Sequence, residues 1–589
     1  MIALSQQALR GPNYWSHNHP NLIQIRLLLE GSLAVQAEPE KQLLAFIKLY
    51  LPDFELDEGM PNRVLSFTAA LALSLQKAVG CPVSYWAKRP TAYPTIFNLV
   101  VAYEFEAVGR WAVDKAVDFI HLAETGQPLA LASTVSALKD ILAQEKPSLK
   151  IASLLQLANA HALPVLVDEA AGILHLGYGI KSVVVGEETP FEDLEKAINN
   201  GSVGRIPILA VTGSNGKTTT TRLLAHILKT SGKTVGYTTS DGIYIQDEMV
   251  DEGDTTGPVS AQLVLGDKRV QVAVLETARG GILRAGLGFD SCDLAVVTNV
   301  QDDHLGISDI ETLDQLAQVK EVLVSAVKPG GWAILNAANP YTVAMGEKAH
   351  CATAWFSVAA QPAQRLAARS KGGSVAYIEK GQIVVETATQ KQNIAALHDV
   401  PITFQGTLGF MVENALAATL AAATYGVAPA VIAAALQTFY PSVVQTPGRM
   451  NIFELQGSKL LVDFAHNPDG FAGIRDFLAT IQSPLKIGII VGTGDRKEED
   501  TRELGRISAQ MFDVILIHQT KFLRSRTAES LVDLLVEGIH SHNPDASWQR
   551  IPDALEPLAY ALAQANPGSY ITALSEVLSD VSELVARYR

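Results

Sequence analysis

The chain is predicted to be an α/β protein built on parallel sheets, and three observations in the sequence carry that prediction. From about residue 202 to 440, short apolar runs alternate with helical patterns, the signature of βαβ units. The same alternation returns from about 446 to 589, after the proline-punctuated stretch 441–447. At the head of the first series stands Ile206-Pro207-Ile208-Leu209-Ala210-Val211-Thr212-Gly213-Ser214-Asn215-Gly216-Lys217-Thr218-Thr219, a buried-strand pattern running into a glycine loop. An amphipathic helix follows, with Leu223, Leu224, Ile227 and Leu228 on one face and a stop near Gly232.

Taken in order, residues 1 to about 125 mix strands and helices as an α+β N-terminal domain. Arg10-Gly11-Pro12-Asn13-Tyr14-Trp15-Ser16 is an aromatic turn, 98–106 a strand and 107–122 an amphipathic helix. His17 and His19 follow the turn without a metal-ligand spacing, so this region is expected to be structural. Residues 126–201 form a helix-rich connector. It has a helix over 148–161, a short strand over 163–167 and a turn over 175–179, and Asn199-Asn200-Gly201 marks its end.

In the central segment, 202–445, strands are predicted at 206–211, 234–238, 269–276, 293–299 and 332–335. The loop after the first is a phosphate cradle. Gly213 and Gly216 let backbone N–H groups of the Ser214 and Asn215 turn face an anion. Lys217 adds a charge, and Thr218, followed by Thr219, opens the helix where it can reach a magnesium ion. The strict eight-residue phosphate-loop pattern fails, because its first glycine would fall at Val211. Ligands in such sheets gather at the carboxyl ends of strands, and Glu276, Asp302, Asp303 and His304 lie there, with Lys320 on the next helix. Glu276 and His304 are candidates to hold magnesium on the phosphates of ATP.

The last segment, 446–589, has predicted strands at 459–464, 486–491, 513–518 and 569–574. Its polar loops are Asp463-Phe464-Ala465-His466-Asn467-Pro468, a charged run over 492–500 that reads as a solvated turn, and a run over 521–526 whose cations suit carboxylate or phosphate groups or else form a solvated basic turn.

Composition narrows the class. A net charge of −15 argues against a protein that coats nucleic acid or anionic membrane. No stretch approaches the ~18 uncharged apolar residues of a membrane span. Cys81, Cys292 and Cys351 are far apart and fit a reducing compartment. The opening residues carry no basic, apolar leader pattern, so a cytoplasmic location is expected.

Together these residues resemble the Mur ligase superfamily. The resemblance runs from about 205 to 589. It rests on the cradle at 213–219, Glu276, Thr298-Asn299 with Asp303-His304, Lys320, Glu413-Asn414, Pro447-Gly448-Arg449-Met450 and the 463–468 motif. Within it, the runs over 251–258 and 276–284 and the opening 9–16 resemble the cyanophycin synthetase family. That family's usual members carry an ATP-grasp domain between the opening domain and the ligase domain. Here only a truncated remnant of it, 126–201, would precede the cradle. The pattern is therefore most similar to the short form of the family, which joins preformed β-aspartyl-arginine dipeptides into cyanophycin.

The resemblance implies a Mur-ligase-like phosphate-loop ATPase domain followed by a Rossmann-like C-terminal domain, and ATP-dependent amide bond formation through an acyl phosphate. Lys217, Glu276, His304 and Lys320 would be catalytic, with Thr218, Glu276, His304 and a carbamylated Lys320 serving two magnesium ions. Asn414 would lie at the adenine, and Arg449 and Asp463 would reach ribose or phosphates. Candidates for substrate contacts are Asp254, Thr255, Thr256, Arg279, Arg284, His466, Arg524 and Arg526. Among Asp251, Glu252 and Asp254 the acid facing a cationic substrate stays open. Asn339 departs from the family's paired aspartates, which bears on nucleotide holding. The implied partners are the dipeptide and the growing polymer, with a homodimer as the assembly. The alternatives are a ligase of the same fold with a cell-wall or folate substrate, a non-catalytic nucleotide-binding partner of a full-length synthetase, and a motor or signalling NTPase, since phosphate cradles are shared widely.

Overall fold

The computed structural model describes residues 1–29, 37–57, 59, 61–168, 173–359, 373–494, 496–519, 523, 526–552, 555–574 and 581–588. The chain forms two compact units. The first joins Met1–Ile206 with Thr256–Val270 and Ala278–Ser291; the second joins Pro207–Thr255 with Gln271–Thr277 and Cys292–Arg589.

In the first unit, a four-stranded antiparallel sheet runs in the order Ile2–Leu9, Leu22–Leu28, Ile96–Ala102, Trp86–Pro90. The helices Asn62–Ala78 and Glu106–Thr125 bury apolar side chains in one cluster with it, Leu65, Phe67, Leu71 and Ile120 among them. The strand predicted over 98–106 starts earlier and stops at Ala102. Beyond it the Tyr103 N–H bonds back to the Asn21 carbonyl at 3.1 Å, and the following helix begins at Glu106. The aromatic turn is organised by buried Asn13. Its amide donates to the carbonyls of Gly11 and His19, and its oxygen accepts from the N–H groups of Trp15 and Ser16.

The connector carries the helices Leu131–Glu145, Leu149–Ala160 and Phe191–Asn199 and an antiparallel sheet of Val165–Asp168, Ile173–Leu176 and Val183–Val185. The turn predicted over 175–179 is therefore half strand. Its first two residues pair in the sheet, and the turn begins at Gly177, whose φ of +85° favours glycine.

The second unit holds an eleven-stranded sheet. Its middle is parallel, in the order Val235–Thr238, Val272–Glu276, Ile208–Thr212, Cys292–Val297, Val327–Asn336, Ala352–Phe356, Val375–Glu379. Antiparallel strands close both edges: Gly242–Ile245 and Glu248–Glu252 on one side, Gln382–Glu386 and Lys391–Ala396 on the other. The central strands are buried along their length, which is why they read as unbroken apolar runs. The helices Lys217–Thr230 and Gly409–Tyr425 share this core; the second is alanine-rich and buried on most of its surface.

A six-stranded sheet follows in the same unit, in the order Asn451–Leu455, Ser458–Asp463, Tyr570–Leu574, Lys486–Ile490, Val514–Ile517, Ser547–Arg550. All neighbours are parallel except the first pair. Among the described residues, no helix is long and apolar enough to cross a membrane.

Candidate active site

Strand Ile208–Thr212 lies between Val272–Glu276 and Cys292–Val297. The chain first winds to one side of it and then crosses to the other, so the loops at the carboxyl ends part there and leave a crevice. The glycine loop sits at that point, and both glycines are dictated by their neighbours. Gly216 has φ +85°, and a Cβ there would lie 2.1 Å from Asn414 Oδ1. A Cβ on Gly213 would lie 1.8 Å from Thr298 Oγ1. The loop is pinned to the next strand end. Ser214 N–H donates to the Asn299 carbonyl at 3.0 Å, Asn215 N–H to Asn299 Oδ1 at 2.9 Å, and Thr298 Oγ1 to the Asn215 carbonyl at 2.6 Å. Lys217 Nζ rests on the Ser214 carbonyl at 2.9 Å, and Thr218 and Thr219 are buried in the first turn of the helix.

Glu276, at the end of its strand, is 3 % exposed. Its Oε1 accepts from Thr218 Oγ1 at 3.2 Å, while its Oε2 is buried without a hydrogen-bond partner. Burial pushes the carboxyl up, against the opposing Lys217 charge and the Thr218 bond. Ser240 Oγ lies 3.1 Å from Thr218 Oγ1. An orphaned carboxylate oxygen beside two hydroxyls is an all-oxygen donor set of the kind magnesium takes, so these residues fit the ion that the sequence implies. Lys320 comes from helix Leu313–Ser325, is buried, and donates to the Gly213 carbonyl at 2.7 Å, which places its Nζ against the back of the cradle.

The contacts of His304 form a second group. Asp303, His304 and His466 bring their ligating atoms within 4.8 Å of one another. Arg496 pairs with Asp303 Oδ1, and its Nη2 stands 3.2 Å from His304 Nε2. The sequence reading of 492–500 as a solvated turn is corrected here: Arg496 is 6 % exposed and holds an acid 193 positions earlier. Burial raises the Asp303 carboxyl, but the Arg496 guanidinium, then His304 and His466, outweigh it and hold it well below the usual carboxylate range. Burial and the Arg496 charge push His466 down to about 4 against the pull of Asp303. His466 Nδ1 lies 2.8 Å from the Phe464 carbonyl, which fixes that nitrogen as the protonated one in the neutral ring.

Beside the cradle, Phe410, Met411, Asn414, Arg449 and Phe464 line a cleft. The Arg449 guanidinium stacks over the Phe464 ring at 4.7 Å and reaches Ser240 Oγ at 3.4 Å. Asp463 lines the same cleft, but both its oxygens accept backbone N–H groups, Oδ2 from Met450 at 2.9 Å and Oδ1 from Ala465 at 2.8 Å. Its carboxyl is raised by burial, opposed by Arg449 and those two bonds. It shapes the loop that carries Arg449. Asn339 caps helix Pro340–Lys348 and donates to the Val300 carbonyl.

The remaining predicted residues divide between the two units. Thr255 is buried and donates to the Thr239 carbonyl at 2.7 Å, and Asp254 is exposed in the same segment. Thr256, Arg279 and Arg284 fall in the first compact unit. Arg526 pairs with Glu498 at 3.2 Å, and Arg524 lies outside the described residues. Besides Arg496, sequence reasoning missed the contact of Asn336, which heads the 336–340 run that departs from the family's paired aspartates and donates to the Thr298 carbonyl at 2.9 Å, and the role of Asn467. Asn467 Nδ2 donates to Asn215 Oδ1 at 2.9 Å, while its own oxygen caps helix Pro468–Ala479. An asparagine just before a proline that opens a helical pattern is a capping signal that could have drawn attention to it.

Residues 211–422 match the Mur ligase middle domain, and 448–576 match the Mur ligase glutamate ligase domain. Cyanophycin synthetase of Nostoc sp. is 45% identical over 386 residues, covering 66% of this chain and 43% of that protein. Cyanophycin synthetase of Synechocystis sp. is 44% identical over 392 residues, covering 67% and 45%. The chain belongs to the cyanophycin synthetase family of Mur ligases. It spans less than half the length of these two relatives. Among solved structures, E. coli FolC in complex with DHPP and ADP aligns with a TM-score of 0.51 at 17% identity, over 65% of this chain and 89% of that one. That likeness supports the Mur-ligase-like fold of the family member described here.

Proposed function

We propose that the chain is an ATP-dependent amide ligase that joins β-aspartyl-arginine dipeptides into cyanophycin. The observation that carries this reading is a complete cradle, with Lys217, Thr218, Glu276 and Lys320 around one loop, preceded by a connector of three helices and a three-stranded sheet. Among the described residues the connector is too small for a nucleotide-binding ATP-grasp domain. One centre makes one kind of amide bond, so the arginine must already be attached when the substrate arrives.

In this reading the cradle amides and Lys217 hold the ATP phosphates, and the Asn414 side of the cleft takes the base. Thr218, Glu276 and His304 would hold magnesium, with carbamylated Lys320 serving a second ion; such ions spread the charge of the transferring phosphoryl group. The α-carboxylate of one unit attacks the γ-phosphorus, ADP leaves, and an acyl phosphate forms. The α-amine of the next unit attacks its carbonyl, phosphate leaves, and the amine gives up a proton. Arg449 and the 463–468 loop shield the acyl phosphate from water. Residues 1–125 are structural and contribute to a homodimer in the cytoplasm, where ATP is supplied.

The test is incubation of the purified chain with ATP, magnesium, a short cyanophycin primer and β-aspartyl-arginine, followed by ADP assay and mass analysis. The expected products are oligomers spaced by one dipeptide, at about one ATP per bond. Polymer made from free aspartate and arginine, or inertness toward the dipeptide, overturns the reading. Light scattering checks the dimer.

A further inference from the structure

We propose that Arg496 is a positioning residue that couples closure of the C-terminal subdomain onto the central sheet to the placement of His304, by clasping Asp303. Among the polar contacts that run from the C-terminal sheet to the carboxyl ends of the central sheet, three can be compared. Arg449 reaches Ser240, which touches Thr218. Asn467 exchanges amide hydrogen bonds with Asn215 in the glycine loop. Arg496 pairs with Asp303 and stands beside His304. The first two are long or neutral contacts that water can replace at little cost. The third is an ion pair in which Arg496 is 4 % exposed and Asp303 11 % exposed at the side chain. Opening the subdomain would take Arg496 and His466 away together and leave the Asp303 carboxylate beside His304 without its guanidinium, so the pair favours the closed arrangement.

His304 supplies the second observation. Its φ is +57°, a left-handed backbone that a histidine keeps only when its surroundings over-determine it. Its neighbours there are Asp303 and, from the other subdomain, Arg496 and His466. The guanidinium meets Asp303 and stands 3.2 Å from His304 Nε2, so one cation of the C-terminal subdomain touches both residues. Closure and the placement of His304 are then one event. This rests on the ligase reading for its consequence, though not for the closure itself.

The test uses the full chain with Arg496→Met, Arg496→Lys and Asp303→Asn. Spin labels on cysteines introduced at exposed Glu347 and Asp476, with Cys351 replaced by serine, report the separation of the subdomains with a non-hydrolysable ATP analogue and magnesium. Wild type should give one short, narrow distance; Arg496→Met should give a longer or broader one, and Arg496→Lys should recover part of it. ADP release should fall at least ~30-fold in kcat with the KM for ATP within ~3-fold, and Arg496→Met with Asp303→Asn should be no worse than the single variants. An unchanged distance distribution in a folded Arg496 variant, or additive losses in the double variant, overturns the proposal. If Arg496→Met does not fold, Arg496→Lys and Asp303→Asn decide by the same two readouts. Should the ligase reading itself fail, turnover is absent in every protein, while the distance distributions still show whether Arg496 holds the subdomain closed.

Discussion

The sheet of residues 1–125 and the cradle bury polar groups of different kinds. Among the described residues of the first unit, the buried polar side chains are uncharged: Asn13, Ser66, Thr68, Ser74, Gln76, Asn98, Thr134 and Thr256. In the second unit the ionisable side chains of Glu276, Lys320, Glu386, Asp463, Arg222 and Arg496 are all buried. Burying a charge costs several kcal/mol unless partners repay it, so a fold that needed only stability would place such groups at its surface. The first unit does what stability asks. The second carries a carboxylate oxygen without a partner on Glu276 and a buried arginine that pairs with Asp303 beside His304. That contrast locates chemistry by its energetic cost.

The contrast breaks most readily at Glu276. Replacing it with alanine should lower ADP release by roughly a hundred- to a thousand-fold, the usual loss when one preorganised electrostatic contact to a transferring group is removed. Its melting temperature should hold or rise, because the variant no longer buries an unsatisfied oxygen. Calorimetry alongside a coupled ADP assay checks both halves. Near-normal turnover would place Glu276 outside the machinery.

Leu71→Ala should give the opposite pattern. Leu71 is fully buried in helix Asn62–Ala78, so truncation should cost about 2–5 kcal/mol of unfolding free energy. ADP release per folded molecule should stay within about twofold, as expected of a region without chemistry. Urea unfolding, normalised against active-site titration, separates the two. A specific loss of kcat would show that the opening sheet reaches the reaction.

Gly216→Ala falls between these two types. Its φ of +85° is strained for any other residue, by about 1–3 kcal/mol, and the new methyl would meet Asn414 Oδ1. A modest fall in melting temperature should accompany a much larger loss of nucleotide affinity, measured by titration calorimetry, because Asn414 must leave the cleft to make room. Unchanged nucleotide affinity would mean that the cradle and Asn414 do not meet around a ligand.

These residues also show what was legible in the sequence. The cradle, its strand and Glu276 could be read because a glycine loop between an apolar run and a helix is local chemistry, and because strand ends in parallel sheets carry ligands. The edge strands Gln382–Glu386 and Lys391–Ala396 were not read, since short mixed runs at an antiparallel edge lack the apolar continuity of the centre. Arg496 looked solvated because its neighbours are charged; only a partner 193 positions away makes its burial tolerable. The grouping of 256–270 and 278–291 with the first unit had no local signal either, because it depends on contacts distant in sequence.

The smallest effect sharpens the comparison at the first unit's rim. Glu106 opens the helix Glu106–Thr125, accepting from Arg10 Nε at 2.8 Å and from Arg110 Nε at 2.9 Å. Burial alone would raise its carboxyl, but the bonds from Arg10 and Arg110 outweigh it and hold the group below its ordinary 4.5. A carboxyl lowered by folding binds fewer protons in the native state than in the unfolded chain. Its contribution is therefore complete above pH 4.5 and fades as pH falls through the lower, native value. Both arginines are more than a third exposed, so solvent screening keeps the gain to about 1 kcal/mol or less. Glu106→Gln should lower the melting temperature slightly at pH 7 and leave it indistinguishable from wild type in acid below the native value. A gap that persists or widens on acidification would show that shape at the helix start, rather than the charge of Glu106, is what the two arginines read.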